Sequence, residues 1–302
     1  MNWEWSDIYS HPLWMVSTAI LAIIVRAQRK ALWNPRACPV KLNGKTAVVT
    51  GANTGIGKFI ALDFARRGAR VILACRDEAR GTAALQEIRE STGNQSIHLC
   101  LLDTSSLDSV RKFAARILEE EKELHILVNN AGASDLLKKS TPVRIVNVSS
   151  MNHWRGEVNF DHFRGHNLNN VMDATYNHTK LHNVIWTNEL ARRLQGTGVT
   201  ANSLHPGVVM TDVMRNYNFI IRFLFNLVGF FFFKTAEEGS FSPIYCAVSE
   251  EAEGISGKYF NSDCSLVLPA PPARDPALGV KEYEFCERLT AKPYRDCSKI
   301  LS

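Results

Sequence analysis

The sequence predicts an α/β fold built on a doubly wound parallel sheet, and three observations predict it. Short aliphatic and β-branched runs alternate with helical patterns along most of the 302 residues. A glycine-rich turn joins the first of those runs directly to a helical pattern. The composition, 45% hydrophobic and 22% charged, is enough to bury one large core.

Composition also excludes several function classes. The net charge of +5 is spread along the chain, so a nucleic-acid surface is not expected. Seven cysteines (Cys38, Cys75, Cys100, Cys246, Cys264, Cys286 and Cys297) form an odd set without a Cys-x-x-Cys pair. That argues against a disulfide framework and a zinc site, and suits a reducing compartment. His153, His162, His166 and His178 match no metal-ligand motif; they are read as surface or pocket lining, and no metal is expected.

Residues 1–40 read as a membrane anchor with a basic linker, and 41–302 as one catalytic domain. Leu13 to Val25 is an uncharged apolar run with Glu4 and Asp7 before it and Arg26, Arg29, Lys30 and Arg36 after it. A cleaved signal peptide carries its charge on the other side. By the positive-inside rule the N-terminus lies in the lumen and the domain in the cytosol. The run is short for the roughly 20 residues of a spanning helix, so two readings stay open: a spanning helix and one lying on the bilayer. Sequons begin at Asn94, Asn147 and Asn177. The last two fall in elements with no room for a glycan, which favours the cytosolic side.

The first strand, Lys45 to Thr50, runs into Gly51-Ala-Asn53-Thr54-Gly55-Ile56-Gly57 and then a helical pattern over Lys58 to Arg67. Glycines there let backbone approach a pyrophosphate, and the helix N-terminus offers it free N–H groups and the positive end of the dipole. The spacing Thr-Gly-x-x-x-Gly-Ile-Gly resembles the short-chain dehydrogenase/reductase superfamily. That resemblance implies a Rossmann-type sheet and extends over about residues 40 to 265. The second strand, Arg70 to Cys75, ends at Arg76 where NAD-preferring enzymes place a carboxylate against the ribose 2′-hydroxyl. A guanidinium suits a 2′-phosphate, so NADP(H) is the expected cofactor; the alternative is a solvated turn arginine. A third strand, Ile97 to Leu102, ends in Asp103. The resemblance places Asp103 at the adenine end of the pocket, and it is also a candidate N-cap for the helix starting near Leu107. The fourth strand ends in Asn129-Asn-Ala-Gly132, a motif resembling the family's, which implies that Asn129 and Gly132 line the cofactor.

The fifth strand, Val143 to Ser150, puts a serine pair at the sheet edge where open α/β folds bind ligands. Tyr176 and Lys180, four apart on a helix reaching about Leu194, share one face. A phenol titrates near 10, too high for easy proton transfer at neutral pH, and an adjacent ammonium favours its charged form. Tyr176 is therefore the expected acid/base, Lys180 its partner, and Ser150 the group that hydrogen-bonds the reacting oxygen. A sixth strand from Val199 ends in Pro206-Gly207; the resemblance implies that Pro206 and Gly207 bind the cofactor and that the Thr211 hydroxyl lies against the nicotinamide carboxamide. Gly254 to Phe260 resembles the last strand.

Phe219 to Phe233 is apolar, Phe-rich and too short to span a membrane. By resemblance to the microsomal retinol dehydrogenases it is a lid over an apolar substrate such as retinal, in contact with lipid; a buried core helix is the alternative. An endoplasmic reticulum membrane enzyme facing the cytosol follows.

One stretch departs from the family. Between strands four and five the family carries a long helix with a catalytic asparagine and much of the subunit interface. Here only Ala133 to Pro142 remains, with no Asn between Gly132 and Arg144. A parallel crossover normally needs a dozen or more residues. As helix, Ser134 to Ser140 would rise only about 10 Å, against a return of roughly 17 Å past a five-residue strand. The sequence therefore predicts a shortened crossover, of the kind exon skipping would leave, with the apolar residues of strands four and five partly bare. A catalytically impaired pseudoenzyme or splice product is the alternative function, and oligomerisation would lack its usual interface helix.

Overall fold

A computed structural model describes residues 16–18, 20, 33–129, 141–160, 172–209 and 233–291. The N-terminal anchor apart from residues 16–18 and 20, Gly132, the crossover through Ser140, His162, His166, Thr211 and the lid before Phe233 lie outside the described residues. Among those described, no helix is long and apolar enough to cross a membrane.

Eight strands form one sheet: β1 (Thr46–Thr50), β2 (Arg70–Cys75), β3 (Ile97–Leu101), β4 (Ile126–Asn129), β5 (Val143–Val148), β6 (Val199–Leu204), β7 (Tyr259–Phe260) and β8 (Leu266–Val267). Their order is β3-β2-β1-β4-β5-β6-β7-β8, parallel throughout except for the final β7–β8 pair. The order reverses between β1 and β4, the switch point at which such sheets bind ligands. The first six strands match the sequence pattern because buried parallel strands read as continuous aliphatic runs. Only Tyr259–Phe260 of the expected Gly254–Phe260 strand is extended, and β8 carried no signal in two exposed residues.

Helices α1 (Gly55–Arg66), α2 (Glu78–Thr92), α3 (Leu107–Glu120), α4 (Met172–Arg193), α5 (Ala236–Val248) and α6 (Pro276–Ala291) complete the layers. Asp77 caps α2 through Arg80 N–H, and a capping box of Thr235 and Glu238 starts α5. On one face α1, α2 and α5 pack over Val49, Val71, Leu73, Val128 and Val146. The chain before β1 is pinned there. The buried Arg67 guanidinium donates to the carbonyls of Pro35 (2.7 Å), Cys38 (3.1 Å) and Val40 (2.8 Å), and Trp33 packs edge-on against Tyr245.

The opposite face corrects one expectation. Leu127, Val143 and Ile145 are buried, not bare. Among the described residues, Phe113 of α3, Trp186 of α4 and Tyr283 of α6 pack against the cluster to which they belong. The C-terminal helix α6, which carried no motif, lies against α4: Tyr283 stacks on Trp186, and Glu282 pairs with His182 at 2.8 Å. Arg111 of α3 reaches the Thr290 carbonyl at the far end of the same helix. Residues 130–142 join β4 to β5, whose strands pair in parallel with Asn129 opposite Asn147.

The sequon asparagines are engaged in the fold. Asn147 and Asn177 are buried, and Asn94 Nδ2 donates to Ala65 and Ala69 carbonyls. The six described cysteines are free thiols.

Candidate active site

The C-terminal ends of the central strands collect the predicted residues. At the end of β1, Gly51 and Gly55 take positive φ angles of 66° and 58°, which a side chain would resist. A Cβ at Gly57 would stand 2.4 Å from the Gly51 carbonyl oxygen, so helix α1 can approach the turn this closely only as glycine. Asn53 and Ile56 complete the turn, Ile56 packing against the core. Thr54 occupies the N-cap of α1 without a side-chain cap bond, leaving the first N–H groups of the helix to an anion. Beside it the Asn129 Oδ1 is buried without a hydrogen-bond partner in the structure. A bare helix N-terminus, a glycine cradle and an orphaned buried acceptor together fit a dinucleotide.

Arg76 is exposed just past β2, close enough to Asp103 to help hold its carboxyl below the usual range. The larger cause is Ser105, whose hydroxyl and N–H both donate to Asp103 Oδ1. The N-cap of α3 is Ser106, not Asp103. The capping alternative for Asp103 is thereby removed, because its side chain closes a turn one residue earlier.

On the other side of the switch point, the serine pair divides. Ser149 is buried and donates to the Lys180 carbonyl at 2.7 Å. Ser150 is half-buried and caps a short 3-10 helix, Met151–Arg155, by accepting from the Asn152 N–H. That bond leaves its hydroxyl proton to donate elsewhere. Lys180 Nζ donates to the Val148 carbonyl at 3.0 Å and lies 5.6 Å from the Tyr176 ring centroid. Burial pulls the Lys180 ammonium below its ordinary value. Tyr176 itself is 45% exposed. Gly156 lets the serine loop close onto α4, since a Cβ there would lie 2.6 Å from both the Asn177 carbonyl and Leu181 Cβ.

Pro206 is buried at the end of β6, and Gly207 follows at φ 94° against Lys234 and Ser262. Lys234 N–H returns to the Val208 carbonyl at 2.8 Å, so the excursion containing the proposed lid leaves and rejoins the domain at one point beside this turn.

A family model described as short chain dehydrogenase matches residues 45–144. Mouse retinol dehydrogenase 12 is 42% identical over 266 residues, covering 78% of this chain and 83% of its own. Human retinol dehydrogenase 11 is 38% identical over 311 residues, covering 92% and 96%. The chain belongs to the short-chain dehydrogenase family.

Within the short-chain dehydrogenases it is retinol-dehydrogenase-like. An uncharacterized protein from Mycobacterium paratuberculosis superposes with a TM-score of 0.67 at 26% identity, covering 87% of this chain and 99% of its own. The L-sorbose reductase of Gluconobacter frateurii, solved with NADPH and L-sorbose, gives 0.58 at 19%, covering 76% and 99%; that likeness speaks to the fold alone.

Three residues behind the strand ends were not legible in the sequence. His153 is fully buried rather than surface or pocket lining; Tyr259 packs against it, and His205 stacks on Tyr259. His178 Nδ1 accepts from the Glu157 N–H. Among the described residues no three His, Cys, Asp or Glu side chains gather as metal ligands.

Proposed function

We propose that the chain is an NADP(H)-dependent enzyme interconverting an apolar, retinoid-like aldehyde or ketone and its alcohol, with residues 41–302 as its catalytic domain. The observation that carries this reading is Lys180 Nζ 5.6 Å from the Tyr176 ring, on a helix packed against the short 3-10 helix that Ser150 caps. The retinoid class rests on relatives at 37–42% identity that are named retinol dehydrogenases and on the apolar stretch 219–233.

Bound in the glycine cradle, NADP(H) would supply hydride to, or accept it from, the substrate carbon. In reduction, Tyr176 donates its hydroxyl proton to the carbonyl oxygen, while Ser150 donates a hydrogen bond to the same oxygen. Lys180, held by the Val148 carbonyl, provides the positive charge that favours the phenolate left on Tyr176. Asn129, Gly132, Pro206 and Gly207 would line the cofactor, and the Thr211 hydroxyl would meet its carboxamide. Arg76 takes the 2′-phosphate, with no carboxylate at the end of β2 to repel it. The apolar run 13–25 with its following cations anchors the domain on the cytosolic side of the endoplasmic reticulum membrane.

A second reading has its own support: an impaired, membrane-anchored pseudoenzyme or splice product that keeps the fold and loses turnover. The match to mouse retinol dehydrogenase 11 runs over 310 positions yet uses 92% of a 302-residue chain, about 278 residues, so about thirty positions of that relative face a gap here. The connection 130–142 is where the sequence is short, and the family-model match stops just beyond it. Mixing the full chain with NADPH and all-trans-retinal decides between the readings. Consumption of NADPH is expected for the enzyme; a thermal shift with NADPH and no consumption establishes the second reading.

A further inference from the structure

Two buried histidines stand behind the site, and the partners of each fix its tautomer. His153 has no exposed surface. Its Nε2 accepts from the Ala270 N–H at 3.1 Å, so the ring proton is on Nδ1, which donates to the Ser150 carbonyl at 2.7 Å. His205 is the mirror case. Its Nδ1 accepts from the Gly207 N–H at 3.1 Å, so its proton is on Nε2 and is donated to Asn261 Oδ1 at 2.6 Å. Tyr259 fills the space between the rings, 4.7 Å from His153 and 6.2 Å from His205, and its hydroxyl donates to the Ser150 carbonyl at 3.4 Å. The Ser150 carbonyl thus receives His153 Nδ1–H, the His153 backbone N–H and the Tyr259 hydroxyl. The serine main chain is held three times over while its side chain stays available.

We propose that His153 and His205 are positioning residues of this site, acting through Ser150 and through Gly207, with Tyr259 as the wall they share. The unit joins the two halves of the site. The serine at the end of β5 and the Pro206–Gly207 turn at the end of β6 keep a fixed separation because each is bonded to a ring packed on the same tyrosine. A protonated ring could not serve in either place, since each histidine must accept from a backbone N–H. Burial accordingly pulls both rings below the ordinary imidazole value. The proposal rests on the oxidoreductase reading for its serine arm and on cofactor binding alone for its glycine arm.

The test uses the full chain with NADPH and all-trans-retinal, and compares Phe with Gln at each position. Phe keeps the ring without its nitrogens, and Gln offers one donor and one acceptor. His153→Phe is expected to lower kcat about tenfold or more with the Kd for NADPH unchanged, as for other losses of a supporting hydrogen bond. His153→Gln should recover much of that loss. In a Ser150→Ala background His153→Phe should cost nothing further, because the group it orients is gone. His205→Phe is expected to raise the NADPH Kd about tenfold, read by cofactor fluorescence without turnover, with recovery in His205→Gln. An equal loss from His153→Phe with and without the Ser150 hydroxyl overturns the serine arm, and an unchanged NADPH Kd in His205→Phe overturns the glycine arm. A wild-type chain that binds NADPH but never consumes it ends the enzyme reading and the serine arm together, while the NADPH Kd still decides the glycine arm.

Discussion

At the scale of single residues, charge and tautomer carry the chemistry. Arg76 is exposed, so a change there costs little stability and reads out recognition. Arg76→Asp is expected to weaken NADPH binding about tenfold or more and to improve NADH binding, measured as the ratio of the two dissociation constants. An unchanged ratio removes Arg76 from the cofactor site. His153 provides a pH test with a definite sign. Burial lowers its folded-state pKa below the usual 6.5 or so, against the opposing pull of the Ser150 carbonyl. As pH falls through about 6.5 the unfolded chain therefore takes up a proton that the folded chain refuses, and stability declines until the folded pKa is reached. The melting temperature of the wild type should drop more between about pH 7 and pH 5 than that of His153→Gln; parallel profiles would show that the ring contributes nothing to the linkage.

At the scale of elements, close approaches decide which residues are allowed. Gly57→Ala drives a methyl into the Gly51 carbonyl oxygen, and the turn and α1 must separate to admit it. We expect NADPH binding to be lost and the melting temperature to fall, by titration and thermal denaturation of one preparation. The strap formed by α6 is a second case. Tyr283 stacks on Trp186 and lies under the Arg193 guanidinium, 4.0 Å away. Tyr283→Ala should cost about 1–3 kcal/mol in denaturant unfolding, and a change under about 0.5 kcal/mol would mean that the packing of α6 on α4 is incidental to stability.

At the scale of the whole molecule, the question is whether a short-chain dehydrogenase with the shortened crossover that the sequence predicts turns over. The described residues keep the sheet order, the glycine cradle and the approach of Lys180 to the Tyr176 ring. A full-length relative's crossover grafted between Gly132 and Val143 should raise the rate of retinal reduction if the short connection limits it, and an equally slow graft would locate the defect elsewhere. Membrane attachment is tested by flotation with vesicles: the full chain should float and a chain beginning at Lys41 should not, and co-flotation of both would assign the attachment to the domain.

The sequence by itself determined the parallel sheet and the glycine turn after β1, and it proposed the Ser150, Tyr176 and Lys180 group. These are local signals, each readable within a strand and its following turn or within one helical turn. Only the tertiary structure decided the rest. Ser149 and Ser150 are adjacent and alike in sequence, and the pleat and the following helix turn one onto Lys180 and leave the other at the site. His153, His205 and Tyr259 lie up to 106 positions apart, with no motif linking them, and acquire their roles from β5, β6 and β7 being neighbours in the sheet. The packing of α6 on α4 likewise joins segments about a hundred positions apart. Burial and hydrogen-bond partners depend on which distant segments meet, and no local pattern records that meeting.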